Sequence, residues 1–304
     1  MKHNLISLVI ILILAIFPSA AFSSEVIIIK SSDIIPYQKA IEGFKGKFHQ
    51  GTFREYSIDE DVNEGKFVLE RALKRDGDLI LAVGPEATYL VGKHSSPVLK
   101  VFTMVLNPEK LLDENVLCHG VSLNLPISFQ LEMIKSGFPN RKRIGVFYTQ
   151  RLNQKTIDTI SDKAFSLGRS IVSLPIASQK EIPEILNSPQ FNIDILWVIP
   201  DRTVGSEKII KYLIKKMLIK KIPVVGFNEW FAENGAILSF HLDVHEIGKQ
   251  TAELAQKLLR ERNVLTPLIQ EPSKVITIVN LKVAKKLGII ISGDLIKNAS
   301  EVIK

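Results

Sequence analysis

Asp201 directly follows Pro200, and both follow a run of apolar residues from Ile193 to Ile199 broken only by Asp194. Such a run suits a strand buried on both faces of a parallel sheet. Pro200 takes the chain out of the sheet just before the carboxylate. A carboxylate at the carboxyl edge of such a sheet can hold a cation, such as an amino acid's ammonium. It can also cap its own turn before Ser206, or pair with Arg202 or a nearby lysine. Four other stretches carry reactive side-chain types. His241, Asp243, His245 and Glu246 are metal-ligand types, but they miss the zinc-protease order and straddle a loop-to-helix boundary. Asp243 and Glu246 have capping-box spacing. Gly120 to Asn124 (GVSLN) lacks the second glycine of a hydrolase nucleophile elbow. Gly84 to Thr88 (GPEAT) ends an apolar strand and opens a helix, without the three-glycine fingerprint or the P-loop lysine. Its backbone N–H groups could hold a ligand carboxylate. Cys118 is the single cysteine, which rules out an intrachain disulfide and reads as a buried, inert thiol. No catalytic constellation and no metal or cofactor site emerges from these types and spacings.

The elements that must position these groups alternate along the chain. Glu25–Lys30 reads as a strand ending at Ser31, Ser32 and Asp33, a second polar strand end. Helix, strand, helix and strand follow over 36–83, and Pro97–Val105 makes a further strand. The pattern restarts with a helix over 126–137 and a strand over 143–148 that delivers Tyr148 to its end. After the Ile193 strand, a helix opened by Ser206 places Ile209, Ile210, Leu213, Ile214 and Met217 on one side. A strand over 222–227 then ends at Asn228 and Glu229. The sequence predicts a helix from Asp243 to about Leu259 and a last strand over 274–279. Two alternating halves imply two doubly wound α/β domains, which bind ligands beyond the carboxyl ends of their strands.

The chain has 304 residues, 39 basic against 32 acidic, for a formal charge of +7. The densest basic cluster, Lys208 to Lys221, reads as one solvated helix face. No aromatic-interleaved basic patch accompanies it, which argues against nucleic acid as a partner. Lys2 and His3 precede an apolar run over 5–17 and small residues over 18–24, the order of a cleavable signal peptide. No cysteine follows to carry a lipid anchor, so the expected location is the periplasm.

The segments 120–123 (GVSL), 130–134 (QLEMI), 139–148 (PNRKRIGVFY), 194–201 (DILWVIPD), 222–225 (IPVV), 235–239 (GAILS), 243–248 (DVHEIG) and 279–288 (VNLKVAKKLG) occur in this order. In order and spacing they resemble the solute-binding proteins of ABC transporters, in the family of the tryptophan and tyrosine receptors. The resemblance implies the type I periplasmic binding architecture: two Rossmann-like lobes with a central cleft, and delivery of a small ligand to a membrane permease. By position it implies that Ser31, Ser32, Gly84, Pro85, Glu86, Ala87, Ser122, Tyr148, Asp201, Asn228 and Ser239 border the ligand. It implies lobes at 24–122 with about 241–270, and at 123–240 with about 271–304. It also implies no cofactor, no catalysis and a monomer. The asparagine usual after the tyrosine is Thr149 here, and the region 84–115 is shorter than the family pattern. A sensor subunit for a membrane receptor and a periplasmic enzyme on the same architecture are the alternatives.

Overall fold

The computed structural model describes residues 24–49, 51–59, 61–75, 77–261 and 264–304. The signal-peptide expectation falls on residues outside these. In chain order the structure runs β1 (Ser24–Lys30), α1 (Ile35–Lys47), β2 (Gly51–Ser57), α2 (Val62–Leu73), β3 (Leu79–Val83), α3 (Pro85–Lys93), β4 (Leu99–Val105) and β5 (His119–Ser122). It continues with α4 (Ile127–Gly137), β6 (Arg143–Thr149), α5 (Gln150–Ser166), β7 (Ser170–Ile176), α6 (Ile182–Asn187), β8 (Ile195–Trp197), α7 (Glu207–Ile219), β9 (Val224–Gly226), α8 (Glu229–Glu233) and β10 (Leu238–His241). It closes with α9 (Val244–Glu261), β11 (Ile269–Gln270), β12 (Ile276–Asn280), α10 (Leu281–Leu287), α11 (Gly293–Asn298) and β13 (Glu301–Ile303). The described residues up to Leu123 and those of Val244–Gln270 form one compact unit, and Asn124–Asp243 with Glu271–Lys304 form a second.

The first unit is built on a parallel sheet of order β11-β5-β4-β3-β1-β2. Its centre is strongly apolar: Val26 to Ile29 and Leu79 to Val83 are fully buried. Leu69 and Ala72 of α2 and Ala87, Leu90 and Val91 of α3 pack with Ile27, Ile80 and Phe102 on one face. The helices α1 and α9 pack against one another at backbone distance. A Cβ on Gly43 would lie 2.0 Å from the His245 carbonyl oxygen, and one on Gly248 would lie 1.9 Å from that of Ala40. Only glycine permits so close an approach. The returning segment is tied to β5 by two bonds. Gly120 N–H donates to the Leu268 carbonyl (2.9 Å), and Leu268 N–H donates to His119 Nδ1 (3.1 Å).

The second unit has the order β13-β12-β10-β9-β8-β6-β7. Its pairs are parallel except that β12 runs antiparallel to β10. From Ile195 to Ile199 the run alternates as a doubly buried strand must. Ile195, Trp197 and Ile199 join one apolar cluster, while Ile193, Leu196 and Val198 join the other. The strand proper is shorter than the apolar run, because Val198 N–H makes the last rung with Val225 O (2.9 Å) and Pro200 has no N–H to continue. Ser206 stands at the start of α7, as expected from sequence, but its side chain makes no capping bond.

Candidate functional site

The carboxyl edge of each sheet collects most of the polar residues singled out from the sequence. In the first unit, Ser31 leaves β1 with its N–H bonded to Val83 O (2.9 Å), and its buried hydroxyl accepts from Ala87 N–H (3.0 Å). Gly84 closes the turn after β3 with φ +92, and a Cβ there would lie 2.6 Å from both Ser31 Oγ and Tyr37 Oη. Ser31 and the stretch Gly84 to Ala87 are therefore one tight constellation.

That constellation corrects one expectation. Gly84 N–H donates to Thr103 O (3.0 Å), Pro85 has no N–H, Ala87 N–H is taken by Ser31, and Thr88 N–H returns to Gly84 O (3.1 Å). Among the described residues only the N–H of Glu86 is left open in the first turn of α3, so the turn offers one donor where its outline suggested several. The Ser32 hydroxyl, by contrast, is buried and has no hydrogen-bond partner among the described residues. Ser122 lies further along this edge, opposite Val105, with β4 between it and the Gly84 turn.

Sequence reasoning missed one feature of this edge. The register of β4 against β5 shifts between Phe102 and Val105, and Met104 there has φ +61. A bulge at a strand end re-aims the chain, and a non-glycine residue in the left-handed region is strained. Nothing in the composition of VFTMV signals it.

In the second unit Asp201 is the organising residue. Its Oδ2 accepts from Thr149 N–H (2.8 Å) and Asn153 Nδ2 (2.7 Å). Its Oδ1 accepts from the Thr149 hydroxyl (2.9 Å), Thr203 N–H (2.8 Å) and Val204 N–H (3.1 Å). These bonds fill the roughly four lone-pair positions of a carboxylate, leaving none open for a ligand's ammonium. Asp201 thus takes the turn-organising role that the sequence left as its alternative, and it holds the end of β6 to the turn after β8. Burial pushes its carboxyl up. The bonds from Thr149, Asn153 and Val204 outweigh this and hold it below the usual carboxylate range.

The turn itself is over-determined. Gly205 N–H donates to Asp201 O (2.7 Å), and a Cβ on Gly205 would lie 2.6 Å from that oxygen. Thr203 shares a hydrogen bond with the Thr149 hydroxyl (2.6 Å), its carbonyl accepts from Gln179 Nε2 (2.8 Å), and Val204 is buried. Arg202 alone projects from it, exposed and without a hydrogen-bond or ion-pair partner among the described residues. Thr149, Asn153 and Thr203 are the hydrogen-bond neighbours that sequence reasoning did not connect to Asp201.

The other candidates differ in what they leave open. Tyr148 is buried in the core and donates its hydroxyl hydrogen to Gln154 Oε1 (3.0 Å). Asn228 is exposed and uses its Oδ1 to cap α8, accepting from Phe231 N–H (3.3 Å). Ser239 is level with Gly226, the last residue of β9, and is fully buried with no partner for its hydroxyl among the described residues. Buried polar groups are almost always satisfied, so two orphan hydroxyls, Ser32 and Ser239, one near each carboxyl edge, call for an explanation. Among the described residues no group of three His, Cys, Asp or Glu side chains forms a metal cluster, and no helix is long and apolar enough to cross a membrane.

Comparison with known proteins gives this geometry its context. A tyrosine-binding protein of Clostridioides difficile (strain R20291) is 26% identical over 218 residues, covering 68% of this chain. The match takes in 62% of that relative's own length. Among solved structures, the ligand-free, open form of a substrate binding protein with adhesive properties from Clostridium difficile superposes with a TM-score of 0.75 at 21% identity. That likeness covers 92% of this chain and 99% of that one. An ABC domain from Streptococcus pneumonia in complex with L-Trp gives a TM-score of 0.62 at 18% identity, covering 92% and 100%. These structural likenesses show the fold. The model of the family described as ABC transporter substrate binding protein matches residues 59–303, most of the chain. This chain belongs to that family of substrate-binding proteins.

Proposed function

We propose that this protein is the exported solute receptor of an ABC importer, and that it carries an amino acid with an aromatic side chain to a membrane permease. The observation that carries the ligand reading is the pair of buried, partnerless hydroxyls of Ser32 and Ser239 at polar strand ends. A ligand's polar group at either edge would satisfy the hydroxyl there. The aromatic class comes from the relatives, one a tyrosine-binding protein and one solved with L-Trp. Glu86, in the first turn of α3, and Asn228, the cap of α8, stand at strand ends of their own units. Ser31, Gly84, Pro85, Ala87, Ser122 and Tyr148 shape the edges, and Asp201 acts on the ligand through Thr149 and the 201–205 turn. The protein performs no chemistry on its ligand and works as a monomer in the periplasm.

A thermal-shift screen of the twenty amino acids tests this reading. L-tyrosine or L-tryptophan at about 100 times its dissociation constant should stabilise the protein by about 2.7 kcal/mol, several degrees in melting temperature. A flat response to every amino acid would overturn it.

A further inference from the structure

We propose that the outer face of α7 docks on an anionic lipid bilayer, with Ile219 entering the headgroup layer and the lysines around it resting on the lipid phosphates. The proposal lies wholly within the second unit and does not depend on the receptor reading. One side of α7 buries Ile210, Leu213, Ile214 and Met217. On the opposite side Lys208, Lys211, Lys215 and Ile219 follow one another at helical spacing, which makes a single exposed stripe. Lys216, Lys220 and Lys221 flank the end of that stripe. From Glu207 to Lys221 six lysines meet one glutamate. That glutamate pairs with Lys211, and none of the other five lysines has an ion pair among the described residues.

A solvated helix face accounts for the lysines, but not for two further observations. Ile219 is 70% exposed in the middle of the basic end, and Leu218 beside it is 38% exposed. Lys221 stops the helix in the left-handed conformation, with φ +55. Its N–H bonds Leu218 O (3.2 Å), and the N–H of Ile222 bonds Met217 O (2.9 Å). Glycine is the ordinary residue at such a stop, and a side chain there is strained. The chain thus keeps a cation where the backbone favours glycine. An anionic bilayer fits both observations. Lipid phosphates give each lysine a partner without fixed spacing. The acyl boundary takes Ile219, while the flexible lysine stems keep their ammonium groups among the headgroups. Tyr212 and Trp230 border the stripe, as aromatics do at a membrane interface. A single-stranded nucleic acid would need open ring faces to stack on. Lys216, Lys211 and Lys220 lie over the rings of Tyr212, Trp230 and Phe191, at 5.5, 5.7 and 5.6 Å.

The test is co-sedimentation of the protein, isolated from the cells that make it, with vesicles. One set mixes phosphatidylglycerol with phosphatidylcholine, and the other is phosphatidylcholine alone. At about 0.1 M salt the mixed vesicles should bind it at least about tenfold more tightly, and the preference should fade toward about 1 M as screening shortens. Lys208→Gln, Lys215→Gln, Lys220→Gln and Lys221→Gln, combined in one chain, should lower affinity for the mixed vesicles by about 100-fold or more, at about fivefold per lysine. Ile219→Ser should lower it by about tenfold. All these positions are exposed, so both variants should keep the wild-type melting temperature. Equal binding to the two kinds of vesicle overturns the proposal. So does wild-type affinity in the lysine variant, which is what binding through the amino terminus would give. Ile219→Ser with wild-type affinity, together with tight binding of poly-L-glutamate, assigns the face to an acidic polypeptide and overturns the bilayer.

Discussion

At the scale of single residues, the decisive contrast is between groups whose bonds are complete and groups left open. Asp201 looks like a ligand anchor by position, yet its bonds make it the joint between β6 and the turn after β8. Replacing it by asparagine turns one acceptor into a donor that faces existing donors. Asp201→Asn should therefore destabilise the ligand-free protein by about 2–3 kcal/mol, the cost of leaving buried donors unpaired. Denaturant titration of the ligand-free variant checks this, and an unchanged midpoint would return the residue to the ligand. Its folded pKa is depressed, so its contribution is present above the ordinary carboxylate range and is lost as pH falls through the folded value. Cys118 is the opposite case of a reactive type made inert. Fully buried, it has its thiol pushed up to about 12 by burial.

At the scale of elements, two close approaches decide the shape of the first unit. The turn at Gly84 has a positive φ and no room for a Cβ, so β3 hands over to α3 directly under Ser31. The packing of α9 on α1 depends on Gly43 and Gly248, whose hydrogens face backbone rather than side chains. Backbone cannot rotate away as a side-chain tip can. Gly248→Ala should therefore force the helices apart and destabilise the unit by about 3 kcal/mol, the upper part of the range for overpacking. Urea unfolding followed by circular dichroism measures it. A loss under about 0.5 kcal/mol, the scale of an ordinary surface change, would mean that the helices slide without cost.

At the scale of the whole molecule, the chain passes between its two units after Leu123, Asp243 and Gln270, so the first unit is completed only when the late segment returns to it. His119 helps to hold that segment by accepting from Leu268 N–H at Nδ1, which it can do only while neutral. Burial accordingly lowers its pKa. The unfolded chain binds this proton at higher pH than the folded one, so the stabilisation is complete above about 6.5 and declines as pH falls from there toward the folded value. Equilibrium stability should be level between pH 7 and 8 and drop measurably at pH 5.5, before the carboxylates titrate. His119→Gln should flatten that drop while lowering stability at pH 7. A drop that persists in His119→Gln would assign it to another group.

The sequence by itself determined the elements and the family. Apolar runs such as Val26–Ile29, Leu79–Val83 and Ile195–Ile199 are long-lived signals, because a strand buried on both faces has no polar positions to blur the pattern. Proline and glycine at 84–85 and 200 marked strand ends because they act on the local backbone alone. The tertiary structure decided what local chemistry cannot: that β12 runs antiparallel to β10, that β4 bulges at Met104, and that β13 adds an edge. It also decided which polar groups stay available. The donors that saturate Asp201 include Thr149 and Asn153, about fifty positions away along the chain. A side chain's open lone pairs depend on partners brought by the fold, so the same aspartate reads as an anchor in the sequence and as a joint in the structure.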